Sequence, residues 1–310
     1  MHPAFSILFF TTLAGAGQGL AVLLAAAVLF QVGFTPGFRD AALALALLLL
    51  AAGLAASFLH LGHKMRAWRA VLMWRTSWMS REVIVLPAFI VLLALWWLAL
   101  RSGAGAPWDG LLPALVIGGA AVLWVCTAMI YACLRFIEEW AHPLTVLNFL
   151  LIGLSSGLVL GCALAAVALE RVLLDAAAPW ALGITLAAWA GRALALRRNG
   201  AIRHRSTRQS ATGIRSPDLV QTSMGMSAGS FNTREFFHGA TQLAMKNARR
   251  TMLLMGFALP AALMAWGLTS QTGLPWIIAA LVQAPGLLAE RWFFFAQARH
   301  PQNLYYQVVS

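Results

Sequence analysis

Residues 41–60 read AALALALLLLAAGLAASFLH, twenty positions with no charged side chain among them. An α-helix of that length rises about 30 Å, the thickness of the hydrocarbon core of a bilayer. In lipid a spanning segment must satisfy its own backbone hydrogen bonds, so the run reads as a helix and not as a strand. Seven more runs of the same character occur near 5–30, 83–100, 111–134, 144–168, 178–196, 251–270 and 275–296. The expectation is an all-α polytopic membrane protein with eight transmembrane helices, one membrane domain over 1–310 that carries a basic loop at 197–250.

Composition leads the same way. The chain has 310 residues, 61% hydrophobic and 10% charged, whereas soluble domains run at about 45–50% apolar and about 25% charged. A soluble globular enzyme is excluded, and so are disordered and collagen-like chains. Cys126, Cys133 and Cys162 lie in apolar runs and are too few for an iron–sulfur cluster, so they read as small buried residues. The first thirty residues lack a basic leader and a cleavage site, and are taken as the first span and not as a signal peptide. Trp74, Trp78, Trp96, Trp97, Trp108, Trp140, Trp180 and Trp292 mostly fall near span ends, as an interfacial belt would.

Net charge is +12. Alternating the connections between two sides puts about 19 of the 22 Lys and Arg residues on the side that holds both termini. Arg39, Arg101 and Arg171 remain on the other. By the positive-inside rule both termini face the cytoplasm, and the chain is expected in a bacterial cytoplasmic (inner) membrane.

The 197–250 segment is too poor in large aliphatic residues to build a core of its own. It opens with the basic run RRNGAIRHRSTRQ, suited to anionic headgroups or an acidic protein face. The stretch TSMGMSAGSFNTREFFHGATQ from Thr222 differs, with Gly and Ser punctuation ahead of a helix-like FNTREFFHG that Asn232 or Thr233 would cap. A loop of this kind reads as a dock for a partner, with Arg215, Phe231, Asn232, Arg234, Glu235 and Phe236 as candidate contacts. The competing reading is a basic tether lying on lipid.

Ionisable groups beside lipid are costly and mark candidate sites. The densest set lies in FLHLGHKMRAWRAVLMWRTSWMSREV, Phe58 to Val83. His60 and His63 share a helical face if the helix persists past Gly62, Arg66 follows, and Glu82 opens the third span. Quinone chemistry moves two electrons and two protons, and needs a hydrogen-bond partner for each ring oxygen and a route for protons. Histidine exchanges protons near neutrality and a half-buried carboxyl relays them. The sequence therefore points to a site among the first three helices near the cytoplasmic face, with His60 and Glu82 as proton-handling groups. Gln18, among Ala14, Gly15, Gly17 and Gly19, joins it because small neighbours permit close approach. The alternative is that His60 bonds a backbone carbonyl and the arginines hold lipid phosphates. Asn148 and Gln283 read as helix-packing groups, and Glu138, Glu139 and His142 as an interfacial turn ended by Pro143. Haem is not expected, since only His60 lies beside a span, and no metal spacing, nucleotide fingerprint or nucleic-acid partner is expected.

At HLGHKMRAW the chain resembles the HLG-x-x-MRA signature of the membrane anchor subunit family of dimethyl sulfoxide reductase. The likeness extends through Gln18 in a glycine-rich first helix, the Ser-x-Glu at Ser80 to Glu82, and eight spans. TSMGMSAGSFNTREFFHG looks like the variant of this family that accompanies cytoplasmic sulfite dehydrogenases acting on quinone. The resemblance implies a molybdopterin catalytic subunit and an iron–sulfur electron-transfer subunit as partners, with molybdopterin and clusters in those subunits only. This chain would be their anchor and quinone site, for menaquinone or ubiquinone, without haem. By resemblance His60 is the family histidine linked to quinol, Glu82 its acidic helper and Arg66 the arginine of the motif, with His63 and Lys64 standing between HLG and MRA. Two other classes compete. A transporter would need polar or broken helices at the bilayer midplane, and a purely structural anchor would leave quinone chemistry to its partner.

Overall fold

The eight apolar runs fold as eight helices, each long and apolar enough to cross a membrane. The computed structural model describes residues 4–59, 63–220, 222 and 239–305. The spanning helices are α1 (Phe5–Leu29), α2 (Pro36–Leu59), α3 (Trp78–Ser102), α4 (Trp108–Ala132), α5 (Pro143–Val167) and α6 (Arg171–Gly200). After the short α7 (Arg208–Thr212) come the spanning helices α8 (Gln242–Ser270) and α9 (Leu274–Ala296), then a terminal turn, α10 (Pro301–Tyr305). No strand occurs among the described residues. The protein is an all-α polytopic membrane protein.

Lipid tails are as apolar as leucine, so burial alone does not drive helices together; close packing through small residues does. α1 and α5 show how. A methyl group added at Gly157 would stand 2.1 Å from the Gly19 carbonyl carbon and 2.2 Å from the Leu20 nitrogen, so the two backbones touch. These two helices are the most enclosed, whereas α2 and α3 turn most of their length outward. Leu48, Leu95, Leu98, Trp180 and Leu281 are exposed on outward surfaces. An apolar exterior of that extent suits lipid contact.

α8 is interrupted by a π-helical stretch, Leu254–Ala258, just before Pro260. Proline has no N–H and its ring collides with the carbonyl four residues back, here that of Gly256. The wider π turn accommodates it, and the released Gly256 carbonyl accepts from Gln283 Nε2 at 3.4 Å. The same amide lies 3.1 Å from Ser155 Oγ, which is 2.7 Å from Thr185 Oγ1. A polar seam thus joins α5, α6, α8 and α9 at mid-depth, with Gln283 in the helix-packing role that the sequence suggests for it. Such contacts are worth about 0.6 kcal/mol on average in membranes, enough to fix register.

Several expectations need correction. Trp96 and Trp140 are packed inside the bundle and not in a belt; Trp140 donates from Nε1 to the Phe294 carbonyl at 3.1 Å and stacks on the Phe294 ring. Cys126 and Cys162 are buried, but Cys133 is exposed. Helix α6 runs on to Gly200 and α8 begins at Gln242, so helical structure extends into both ends of the basic 197–250 segment. The turn before α5 is ordered by its own polar groups. His142 Nδ1 accepts from Leu144 N–H at 3.1 Å, Glu138 O accepts from Arg198 Nη1 at 2.9 Å, and Glu139 Oε2 accepts from Arg299 N–H at 3.4 Å.

Candidate functional site

The entry to α3 is a built turn. Ser77, in extended conformation, caps the helix by accepting from Ser80 N–H at 3.3 Å. The Arg81 guanidinium donates to the carbonyls of Trp74 (3.0 Å) and Arg75 (2.9 Å) and lies 4.1 Å from the centroid of the Trp78 ring. With the turn held, the next residue, Glu82, points into the bundle and is 6% exposed. A carboxyl in such a place is costly unless hydrogen-bonded. Glu82 Oε1 accepts from the Thr127 hydroxyl of α4. Its Oε2 has no hydrogen-bond partner among the described residues.

Thr127 also lines a cavity between α1, α4, α5 and α9, with about 20 Å³ of water-accessible space. That is room for a single water-sized group. Gln18 lines it from α1. Its Nε2 donates to the Ala14 carbonyl at 3.0 Å, which leaves Oε1 buried without a partner. Thr12 Oγ1 and Trp124 Nε1 are buried and unpartnered as well, and both residues line the same cavity. Buried polar atoms are normally hydrogen-bonded, so three orphans around one cavity mark a place for a polar guest. Gly153 is required here, because an added methyl group would stand 2.4 Å from Trp124 Nε1.

Arg291 enters the cavity wall from α9 and belongs to a charged cluster with no exposed member. Its Nε donates to Glu290 Oε2 at 2.5 Å, and its guanidinium lies 4.1 Å from the centroid of the Phe149 ring. Arg192 Nε of α6 lies 3.0 Å from Glu290 Oε1, close enough for an ion pair but not aligned as a hydrogen bond, and Arg192 Nη2 has no partner. Relative exposures are 2% for Arg192, 0% for Glu290 and 4% for Arg291. Two guanidiniums on one carboxylate leave a buried excess of one positive charge. Charge counting along the sequence treats these three as surface residues, which the structure corrects. The sequence signal is the adjacent Glu290 and Arg291 inside an otherwise apolar run.

The cavity brings together Gln18, Arg291 and, by way of Thr127, Glu82. Besides α1 its wall is built by α4, α5 and α9, so α3 joins through the Glu82–Thr127 bond and α2 does not line the cavity. His60 lies outside the described residues. Helix α2 ends at Leu59, and His63 is an exposed residue preceding a 3₁₀ segment, Lys64–Met73, that contains the exposed Arg66. Neither His63 nor Arg66 lines the cavity. Arg215 is exposed after α7; Phe231, Asn232, Arg234, Glu235 and Phe236 lie outside the described residues, as does the helix expected there. No group of three or more His, Cys, Asp or Glu suited to a metal occurs among the described residues.

Residues 1–217 match a model of the family described as DMSO reductase anchor subunit (DmsC). The chain is also similar to a sulfite dehydrogenase subunit from Allochromatium vinosum, 48% identical over 327 aligned positions covering 100% of both chains. That relative spans the part of the chain beyond residue 217 that the family match leaves out.

Proposed function

The chain belongs to the DMSO reductase anchor subunit (DmsC) family, and from that premise we propose that it is the quinone-interacting membrane subunit of a molybdopterin and iron–sulfur oxidoreductase. It exchanges electrons between a membrane quinone pool and an iron–sulfur subunit on the cytoplasmic side, with both termini on that side of a bacterial inner membrane. Similarity to a sulfite dehydrogenase subunit favours sulfite as the electron donor over dimethyl sulfoxide as acceptor. Molybdopterin and clusters belong to the partner subunits.

The observation that carries this reading is the buried Glu82–Thr127 pair beside the cavity of orphaned polar atoms. Bound quinone, menaquinone or ubiquinone, supplies a two-electron, two-proton carrier. The donor set suits its oxygens: Trp124 Nε1, the Thr12 hydroxyl and Arg291 can donate, and Gln18 Oε1 can accept from a hydroxyl. The enclosed volume takes the polar tip of such a group and not its ring. Thr127 fixes Glu82 through Oε1, so Oε2 is the atom at which Glu82 holds and releases a proton. His60, on the segment that joins α2 to α3, is assigned the direct exchange of protons with the quinone oxygen, with His63 and Arg66 on the outer rim of the site. The basic segments of the same side, Arg215 and the 231–236 stretch included, form the dock for the soluble subunits.

A His60→Ala complex tests this. With all subunits co-purifying, electron transfer to quinone is lost while activity with a soluble dye acceptor remains. Normal quinone turnover would favour the other reading, an anchor whose partner holds the quinone.

A further inference from the structure

A second cavity, larger and of different chemistry, lies where α6 ends, α8 begins and α9 ends, with a volume of about 330 Å³. Its floor is apolar, built by Leu196, Met245, Phe293 and Ala296. Its rim carries Arg249 and Arg299, and among the described residues neither pairs with a carboxylate side chain. The one carboxylate among the described residues of the wall, Glu139, is already engaged by the Arg299 backbone N–H at 3.4 Å and lies 3.7 Å from His204 Nε2. Gln297 adds a donor, Nε2, that is buried and unpartnered. The cavity thus presents two free guanidiniums and an orphan amide above an apolar floor, with a net positive charge.

We propose that this cavity binds the phosphate of an anionic phospholipid, with the guanidiniums of Arg249 and Arg299 and Gln297 Nε2 on the phosphate oxygens and the glycerol end of an acyl chain on the apolar floor. Guanidinium forks match phosphate oxygens and form charge-assisted bonds. The depth is that of a headgroup: Arg197 and Arg198 occupy the last turn of α6, and Arg249 and Arg250 immediately precede the apolar part of α8. Basic pockets between spanning helices at this level recognise anionic headgroups. The carbonyl ends of α6 and α9 oppose an anion here, but their partial charges are smaller than two full guanidinium charges. The volume reaches the lower range of ligand sites, which suits a phosphodiester with attached carbon better than a bare phosphate ion.

The test uses the whole complex, delipidated in detergent and passed into nanodiscs of phosphatidylcholine with phosphatidylglycerol or cardiolipin. Native mass spectrometry counts the anionic lipid that survives washing with phosphatidylcholine. The wild type retains one anionic lipid per chain, and Arg249→Gln/Arg299→Gln binds it at least tenfold more weakly. Gln297→Leu, a milder change that guards against misfolding, weakens it severalfold. Equal retention in the double variant overturns the proposal. Displacement of the lipid by millimolar inorganic phosphate would assign the site to a free ion and overturn the lipid source. Loss of the soluble subunits from the double variant without loss of lipid would give the cavity to a partner's acidic side chain, and would overturn it too.

Discussion

The Thr127 hydroxyl of α4 donates to Glu82 Oε1 of α3, joining two residues forty-five positions apart at one end of the bundle. Thr127 also lines the cavity that holds the orphaned Gln18 Oε1, so this bond links the buried Glu82 carboxyl to the polar interior. Thr127→Val keeps the shape but removes the donor, leaving a buried oxygen unpaired at a cost of about 1–3 kcal/mol. Quinone-coupled turnover of the complex is expected to fall roughly tenfold, which corresponds to about 1.4 kcal/mol in the barrier. Thr127→Ser should retain most activity. A valine variant with full turnover would show that the bond is dispensable.

The buried cluster makes an asymmetric prediction. Glu290→Gln strips both guanidiniums of their counter-charge, and breaking a buried pair in this way costs about 3–5 kcal/mol. Arg192→Met removes the arginine whose Nη2 is already unsatisfied and leaves Glu290 and Arg291 as a neutral couple. Its cost should be clearly smaller. Apparent unfolding midpoints of the two purified variants decide the matter; equal losses would contradict the account of an excess buried charge.

The eight spans were legible because hydropathy sets them directly, and their ends moved for local reasons: Ser77 caps α3 ahead of its apolar run, and polar turns extend α8 back to Gln242. Gln18 and Glu82 stood out as polar groups in or beside apolar sequence, but what they touch did not. Thr127 is an ordinary threonine until the fold brings it to Glu82. Arg192, Glu290 and Arg291 were hidden for a different reason. Charge at a span end reads equally well as a side chain reaching for water and as one paired inside the bundle, and only packing distinguishes them.

The contact of α1 with α5 leaves no room for a single methyl group. Gly157→Ala would press into the backbone at Gly19 and Leu20, where neither side can yield by changing a rotamer. The cost belongs at or above the upper end of the about 1–3 kcal/mol usual for overpacking. Gly183→Ala is the matched control, because its added methyl group meets nothing within 4 Å and alanine gains about 1 kcal/mol in helix propensity. Size-exclusion profiles of the two variants should differ, with Gly157→Ala aggregated or absent and Gly183→Ala unchanged.

His142 couples the start of α5 to pH. Burial, and then the nearby Arg198 guanidinium, hold its imidazole below the ordinary 6.5. A depressed pKa means that the unfolded chain binds the extra proton first. The stabilisation is therefore complete above about pH 6.5 and is lost as pH falls through the folded value, where protonation also removes the Nδ1 acceptor for Leu144 N–H. His142→Asn, a good cap that does not titrate, should flatten the fall of the unfolding midpoint between pH 7.5 and 5.5. A wild-type midpoint that rises on acidification in that range would reverse the sign.

The central claim, that this chain holds the quinone next to Glu82, is tested most directly by binding and not by turnover. A fluorescent hydroxyquinoline N-oxide, which mimics a quinol headgroup, can be titrated into the purified complex and its quenching followed. Glu82→Gln removes the ionisable oxygen, and Gln18→Leu removes the orphan acceptor. Each is expected to weaken binding by about tenfold or more, roughly 1.4 kcal/mol, with all subunits still assembled. Unchanged affinity in both variants, in an intact complex, would place the quinone elsewhere and contradict the account.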